Sequence, residues 1–235
     1  MSNYGSFNPS AVAKLVLGAV FFTLFGCGES SVPEKSASKK SAVKKIEKQK
    51  KRDVILCFGN SLTEGYGLNS EESYPNLLQN KLDSFGYDYE VVNAGLSGET
   101  TAGGRGRLNW VLKNNVNIFI LELGANDGLR GIPLKTTNDN LKDIIDTVKA
   151  KLPNVEIVLA GMQIPPNLGI EYTNGFESIF PNLAKTHKIH LIPFLLEGVA
   201  GNPSLNQADG IHPTAEGTKR VVENVWKVIE SLLVR

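Results

Sequence analysis

The chain has 235 residues, 41% of them hydrophobic and 8% aromatic, with a formal net charge of +1, which suits one globular domain with a full core and excludes a disordered or fibrous chain. The charge is segregated: residues 28–52 carry nine Lys or Arg against three acids, whereas residues 53–235 carry 15 basic and 21 acidic residues. An acidic domain of this kind argues against nucleic acid as the main partner, because phosphate contacts dominate that affinity.

In chain order, Lys14 precedes an apolar run over residues 15–26 that closes on Leu24-Phe25-Gly26-Cys27. The run is too short to cross a bilayer and fits the apolar region of a signal peptide. Its end resembles a bacterial lipobox, whose cysteine is acylated and becomes the new N-terminus. Residues 1–27 are therefore expected to form a signal peptide ending at a lipidated Cys27. That implies an exported protein of the bacterial cell envelope, held to a membrane by its anchor. An ordinary signal peptide cleaved nearby is the plainer alternative. Residues 28–52, rich in Lys, Ser and Ala, read as a basic flexible tether. The bland reading is a solvated spacer; the sharper one is contact with anionic lipid headgroups.

From residue 53 on, short apolar runs alternate with amphipathic segments. Residues 54–58, 90–93, 116–123, 155–160 and 189–192 are β-branched-rich and nearly continuous in apolarity, as strands covered on both faces should be. Cys57 falls inside the first run and reads as a small core residue. A helix is expected over the stripe Leu141, Ile144, Ile145, Val148 and Leu152, with Thr136 or Thr137 as its cap and Pro153 as its stop. A second stripe, Val221, Val222, Val225, Ile229, Leu232 and Leu233, closes the chain. This alternation predicts an α/β fold, a three-layer α/β/α sandwich around a five-stranded parallel sheet.

The loops after the strands hold the chemistry. Ser61 lies in a strand-to-helix turn that can project its hydroxyl, although a serine there can equally be a plain helix cap. Gly95 and Asn126 follow the next two runs; each can donate to an oxyanion, and each can also be an ordinary turn residue. Asp209 precedes His212 by three residues in Asp209-Gly210-Ile211-His212-Pro213, with Pro213 expected to open the last helix. The acid can fix the tautomer of the imidazole and leave the other nitrogen to take a proton from Ser61. The remaining histidines, His187 and His190, flank the fifth run and read as surface or strand-edge residues. Two histidines without a third ligand do not make a metal site. Strand ends of an open α/β sheet share one rim, so these groups are expected to converge.

Taken together, Phe58-Gly59-Asn60-Ser61-Leu62-Thr63-Glu64-Gly65-Tyr66-Gly67-Leu68, Asn93-Ala94-Gly95, Leu121-Glu122-Leu123-Gly124-Ala125-Asn126-Asp127-Gly128-Leu129-Arg130-Gly131 and Ala208-Asp209-Gly210-Ile211-His212-Pro213 resemble the four blocks of the SGNH, or GDSL, hydrolase superfamily. The likeness is greatest to its bacterial thioesterase/lysophospholipase/arylesterase subgroup and covers essentially residues 53–235. It implies the flavodoxin-like fold of that superfamily, with Ser61 as nucleophile, His212 as base and Asp209 as orienting acid. It also implies an oxyanion hole made of Ser61, Gly95 and Asn126, and a reaction on a lipid or small-molecule ester with no metal and no cofactor. One departure stands out: the family's usual aspartate before the serine is Asn60. The resemblance further suggests that residues 128–135 form a mobile rim loop bearing on acyl-chain length, and residues 162–172, with Pro165 and Pro166, are expected to form the opposite wall. An acetyl esterase acting on carbohydrate, or a non-catalytic lipoprotein that binds a ligand on an esterase scaffold, are the competing functions.

Overall fold

The structure, a computed structural model, describes residues 52–112 and 115–235. The expectations for residues 1–27 and 28–51, Cys27 among them, lie outside the described residues.

Five strands form the sheet: β1 (Asp53–Gly59), β2 (Tyr89–Gly95), β3 (Val116–Glu122), β4 (Glu156–Ala160) and β5 (His190–Ile192). They run parallel in the order β2-β1-β3-β4-β5. Each expected strand is present with ends within two residues. Among the described residues seven α-helices accompany them: α1 (Ser61–Glu64), α2 (Tyr74–Ser84), α3 (Thr101–Val111), α4 (Ala125–Leu129), α5 (Leu134–Lys151), α6 (Ile170–His187) and α7 (Ala215–Ile229). Right-handed crossovers place α2 and α7 together on one face and α3, α5 and α6 on the other. The result is the expected three-layer sandwich.

The core lies between these layers. Ile55, Cys57, Phe58, Ile118, Phe119, Ile120 and Leu121 of the two central strands are almost wholly buried. Covering by helices on both faces explains why β1 and β3 are apolar without alternation. Edge strand β2 is half-buried. The strand order reverses at β1, so the C-terminal ends of β1 and β3 open the crevice where such sheets bind ligands. Among the described residues no helix is long and apolar enough to cross a membrane.

Two helix ends differ from expectation. α5 starts after Pro133, and the N–H groups of Thr136 and Thr137 bond back to the Pro133 carbonyl at 2.8 and 3.3 Å. The fixed φ of proline sets that first turn, so neither threonine caps; Thr137 is buried within the helix. Pro213 does not open α7. Thr214 does the capping, its hydroxyl accepting from Gly217 N at 3.2 Å. Pro213 instead forms an isolated bridge with Asn206. The closing helix ends at Ile229, and Leu232 falls in a 3₁₀ turn.

Candidate active site

β1 delivers Ser61 to the rim. Asn60 takes the capping position, its Oδ1 accepting from Leu62 N at 2.9 Å. Ser61 is therefore the first residue of α1 and its hydroxyl is not occupied as a cap. From the far end of the chain, the loop before α7 brings His212 to it. His212 Nε2 lies 2.8 Å from Ser61 Oγ, and His212 Nδ1 lies 2.6 Å from Asp209 Oδ2. A carboxylate only accepts, so Nδ1 carries the proton and Nε2 is the acceptor for the hydroxyl.

The histidine loop is held by its own backbone. Asp209 Oδ1 accepts from Ile211 N and His212 N at 2.9 and 3.0 Å. Gly210 adopts φ +71°, a left-handed turn that suits glycine. Gln207 joins the two loops: its Nε2 donates to Tyr66 O at 2.7 Å and to Pro213 O at 2.9 Å. The Tyr66 ring lies against the imidazole with centroids 4.6 Å apart. Partial burial pushes the Asp209 carboxyl up, but donors from the His212 ring and the two backbone N–H groups outweigh it and hold the group down at about 2. It is thus an anion at any pH where the fold would be used.

The oxyanion donors need one correction. Asn126, at the start of α4, sits in the same cleft as Ser61 and His212. Its Nδ2 donates to Glu99 O at 3.0 Å; that bond uses one of its two hydrogens and leaves the other for a ligand. Gly95 is not presented in this way. Its N–H donates to Asn93 Oδ1 at 2.9 Å, and a Cβ at this position would stand 2.1 Å from Glu64 N. Gly95 is a glycine because α1 crosses it, not because a substrate does. The next glycine in the loop, Gly98, has φ +75°, and among the described residues its N–H meets no acceptor. It adjoins Glu99, the residue that Asn126 touches.

Beneath this loop Arg107 of α3 pairs with buried Glu99 at 2.6 Å, donates to Gly59 O and Ala94 O at 3.2 and 2.8 Å, and stacks over Phe58. It locks the ends of β1 and β2 to each other. Asp127 anchors α4, accepting from Thr101 N at 2.8 Å. Glu122, at the end of β3, binds the backbone of Asn60. Motif reading assigns no role to Gln207, Arg107 or Glu122. Only Glu122 carried a signal, as the one acid in a mostly apolar strand.

The cleft has a volume of about 750 Å³. Ser61, Asn126 and His212 reach it, and Leu129, Met162, Ile164, Pro165, Phe194 and Ile211 make it largely apolar. The expected rim loop and the opposite wall therefore both supply lining residues, Leu129 from one and residues 162–165 with Asn167 from the other. The other histidines lie at the opposite edge of the sheet: His187 pairs with Asp146 and His190 with Glu156. His187 is more buried than a surface reading expects, at 11% side-chain exposure, because α6 packs against α5. Buried Cys57 is an inert thiol, desolvation raising it to about 12.

A doubly wound parallel sheet with a Ser–His–Asp chain at its C-terminal rim defines an α/β serine hydrolase. Sequence comparison narrows the class. Residues 57–220 match the GDSL-like Lipase/Acylhydrolase family, and the chain belongs to that family. Esterase TesA of Pseudomonas aeruginosa is 39% identical over 80% of this chain and 93% of its own. Thioesterase 1/protease 1/lysophospholipase L1 of Escherichia coli is 37% identical over 77% of this chain and 85% of its own. Among solved structures, the psychrotrophic esterase EstA from Pseudoalteromonas sp. superposes with a TM-score of 0.72 at 34% identity, over 77% of this chain and 98% of that one.

Proposed function

We propose that the protein cleaves carboxylic esters and thioesters through an acyl-serine intermediate. The observation that carries this reading is the unbroken hydrogen-bond chain from Ser61 Oγ through the His212 ring to Asp209, at 2.8 and 2.6 Å. In the reaction His212 Nε2 takes the Ser61 proton as Oγ bonds to the acyl carbon. The resulting oxyanion is held by the N–H groups of Ser61 and Gly98 and by Asn126 Nδ2. His212 then gives the proton to the departing alcohol or thiol, and water repeats the sequence on the acyl-serine. Asp209 holds the imidazole in orientation and stabilises its protonated form without itself taking a proton.

The apolar cleft favours fatty, aryl or lysophospholipid esters and acyl thioesters over an acetylated sugar, and the names of the relatives support the same choice. Export on the 1–27 signal, acylation of Cys27 and a basic tether over 28–52 would set the hydrolase at a membrane surface, where such lipids are met. The test is a panel of esters and thioesters of rising chain length, run beside Ser61→Ala. Turnover of acyl chains that vanishes in the variant is expected; turnover of acetylated sugar alone, or activity that survives in Ser61→Ala, contradicts the reading.

A further inference from the structure

Glu122 ends β3 with none of its surface exposed, and its two oxygens are fully engaged by the nucleophile loop. Oε1 accepts from Asn60 Nδ2 at 2.7 Å. Oε2 accepts from Asn60 N at 3.0 Å and from Thr63 Oγ1 at 2.8 Å. The other end of the Asn60 amide accepts from Leu62 N at 2.9 Å and lies 3.4 Å from Ser61 Oγ, whose one proton faces His212. The donors to one buried carboxylate thus come from the residues that flank Ser61 on either side. Gly59 is a glycine for the same reason, since a Cβ there would stand 2.5 Å from Glu122 Oε2.

We propose that Asn60 and Glu122 form a polarity-matched clamp that positions the Ser61 loop, the amide supplying a proton where an aspartate would bring a second carboxylate. The proposal rests on the reading of Ser61 as nucleophile; Glu122 touches no substrate and is a positioning residue. Its chemistry is fixed by burial. A carboxylate with three inward donors is satisfied as an acceptor, whereas two carboxylates in contact cannot both ionise and must share a proton. The other groups around it do not supply that proton at working pH. The Tyr74 phenol of α2 bonds Thr63 at 3.3 Å and is held neutral by burial, as is the Cys57 thiol of β1. Arg107 of α3 is paired with Glu99 and donates to Gly59 O and Ala94 O, not to Glu122. Desolvation raises Glu122 to about 7 against the pull of the Thr63 and Asn60 donors. A raised acid favours the fold fully below its ordinary value of 4.5, and that contribution is lost as pH rises through about 7. The ionised clamp therefore costs stability while it orders the loop.

The test is a double-mutant cycle on kcat, KM, the pH profile and melting temperature with a p-nitrophenyl ester. In Asn60→Asp two carboxylates meet; in Glu122→Gln an amide N–H₂ must face a donor. In the double variant the exchanged amide donates to the exchanged carboxylate, and its oxygen still accepts from the N–H of residue 60 and from Thr63. At high pH, where the shared proton of Asn60→Asp has left, each single variant should lose about tenfold or more in kcat with little change in KM, and the double variant should recover most of it, the coupling expected of groups in one network. Asn60→Asp should also lose activity as pH rises, when the shared proton leaves, and the double variant should not. Losses that multiply, or single variants with unchanged rates, overturn the clamp. If a single variant does not fold, the double must regain both fold and rate, and a double variant no better than that single overturns it too. Ser61→Ala separates the two readings: residual activity there removes the nucleophile assignment whatever the cycle gives, whereas an inactive Ser61→Ala with no rescue removes the clamp alone.

Discussion

The setting of the Ser61 hydroxyl is imposed by other residues. Asn60 takes over capping, Asp209 fixes the imidazole, and Gln207 ties the histidine loop to the carbonyl of Tyr66. Asn126 is held by one hydrogen and offers the other, so truncating it removes an aimed donor and little else. Asn126→Ala should lower kcat by about 10²–10³ with a smaller change in KM; steady-state kinetics on one ester would show this, and a change confined to KM would contradict it. Asp209 is held down at about 2 by its donors. A lowered acid stabilises the fold above its ordinary value of 3.8 and loses that contribution as pH falls through about 2. The melting-temperature gap between wild type and Asp209→Asn should thus be level above about pH 4 and close toward pH 2; a gap that widens in acid would contradict the hydrogen-bonding seen here.

Among the elements, the strands bring the site together and the helix ends tune it. α7 can approach the histidine loop only because residue 217 is glycine: a Cβ there would stand 2.1 Å from Leu205 O. Gly217→Ala should push α7 off that loop, costing roughly 1–3 kcal/mol as overpacking does and lowering kcat through displaced His212; thermal melts with kinetics would check it, and unchanged values in both would contradict the packing. The strands were legible because β1 and β3 are covered on both faces and so read as unbroken apolar runs. α3 was not. Thr101–Val111 carries three glycines and a weak helical stripe, and it holds because Leu108 is buried and Gly104 lets the helix close on Leu123 and Phe58. The site was legible at Ser61, Asn126, Asp209 and His212, where residue type and chemistry coincide. Gly95 was misread for a physical reason: a glycine that admits a crossing helix and a glycine that leaves an N–H to a ligand look alike in sequence. The contacts of α1 separate them.

For the whole molecule, the sheet's point of reversal gathers loops from residues 59 to 213 at one rim, and the acidic domain is preceded by a basic segment. If Cys27 carries the anchor, Cys27→Ser should move the protein from the membrane to the soluble fraction and abolish incorporation of labelled fatty acid; a variant that stays membrane-bound and labelled would contradict the lipidation. The proposed hydrolysis depends on a covalent stage at one side chain. The direct measurement is intact and peptide mass spectrometry of enzyme quenched during turnover of a slowly deacylated ester. The expected result is a single adduct with the mass of the acyl group, located on Ser61 and absent from Ser61→Ala. Turnover without any adduct under conditions that trap acyl-enzymes, or an adduct that maps to another residue, would contradict it.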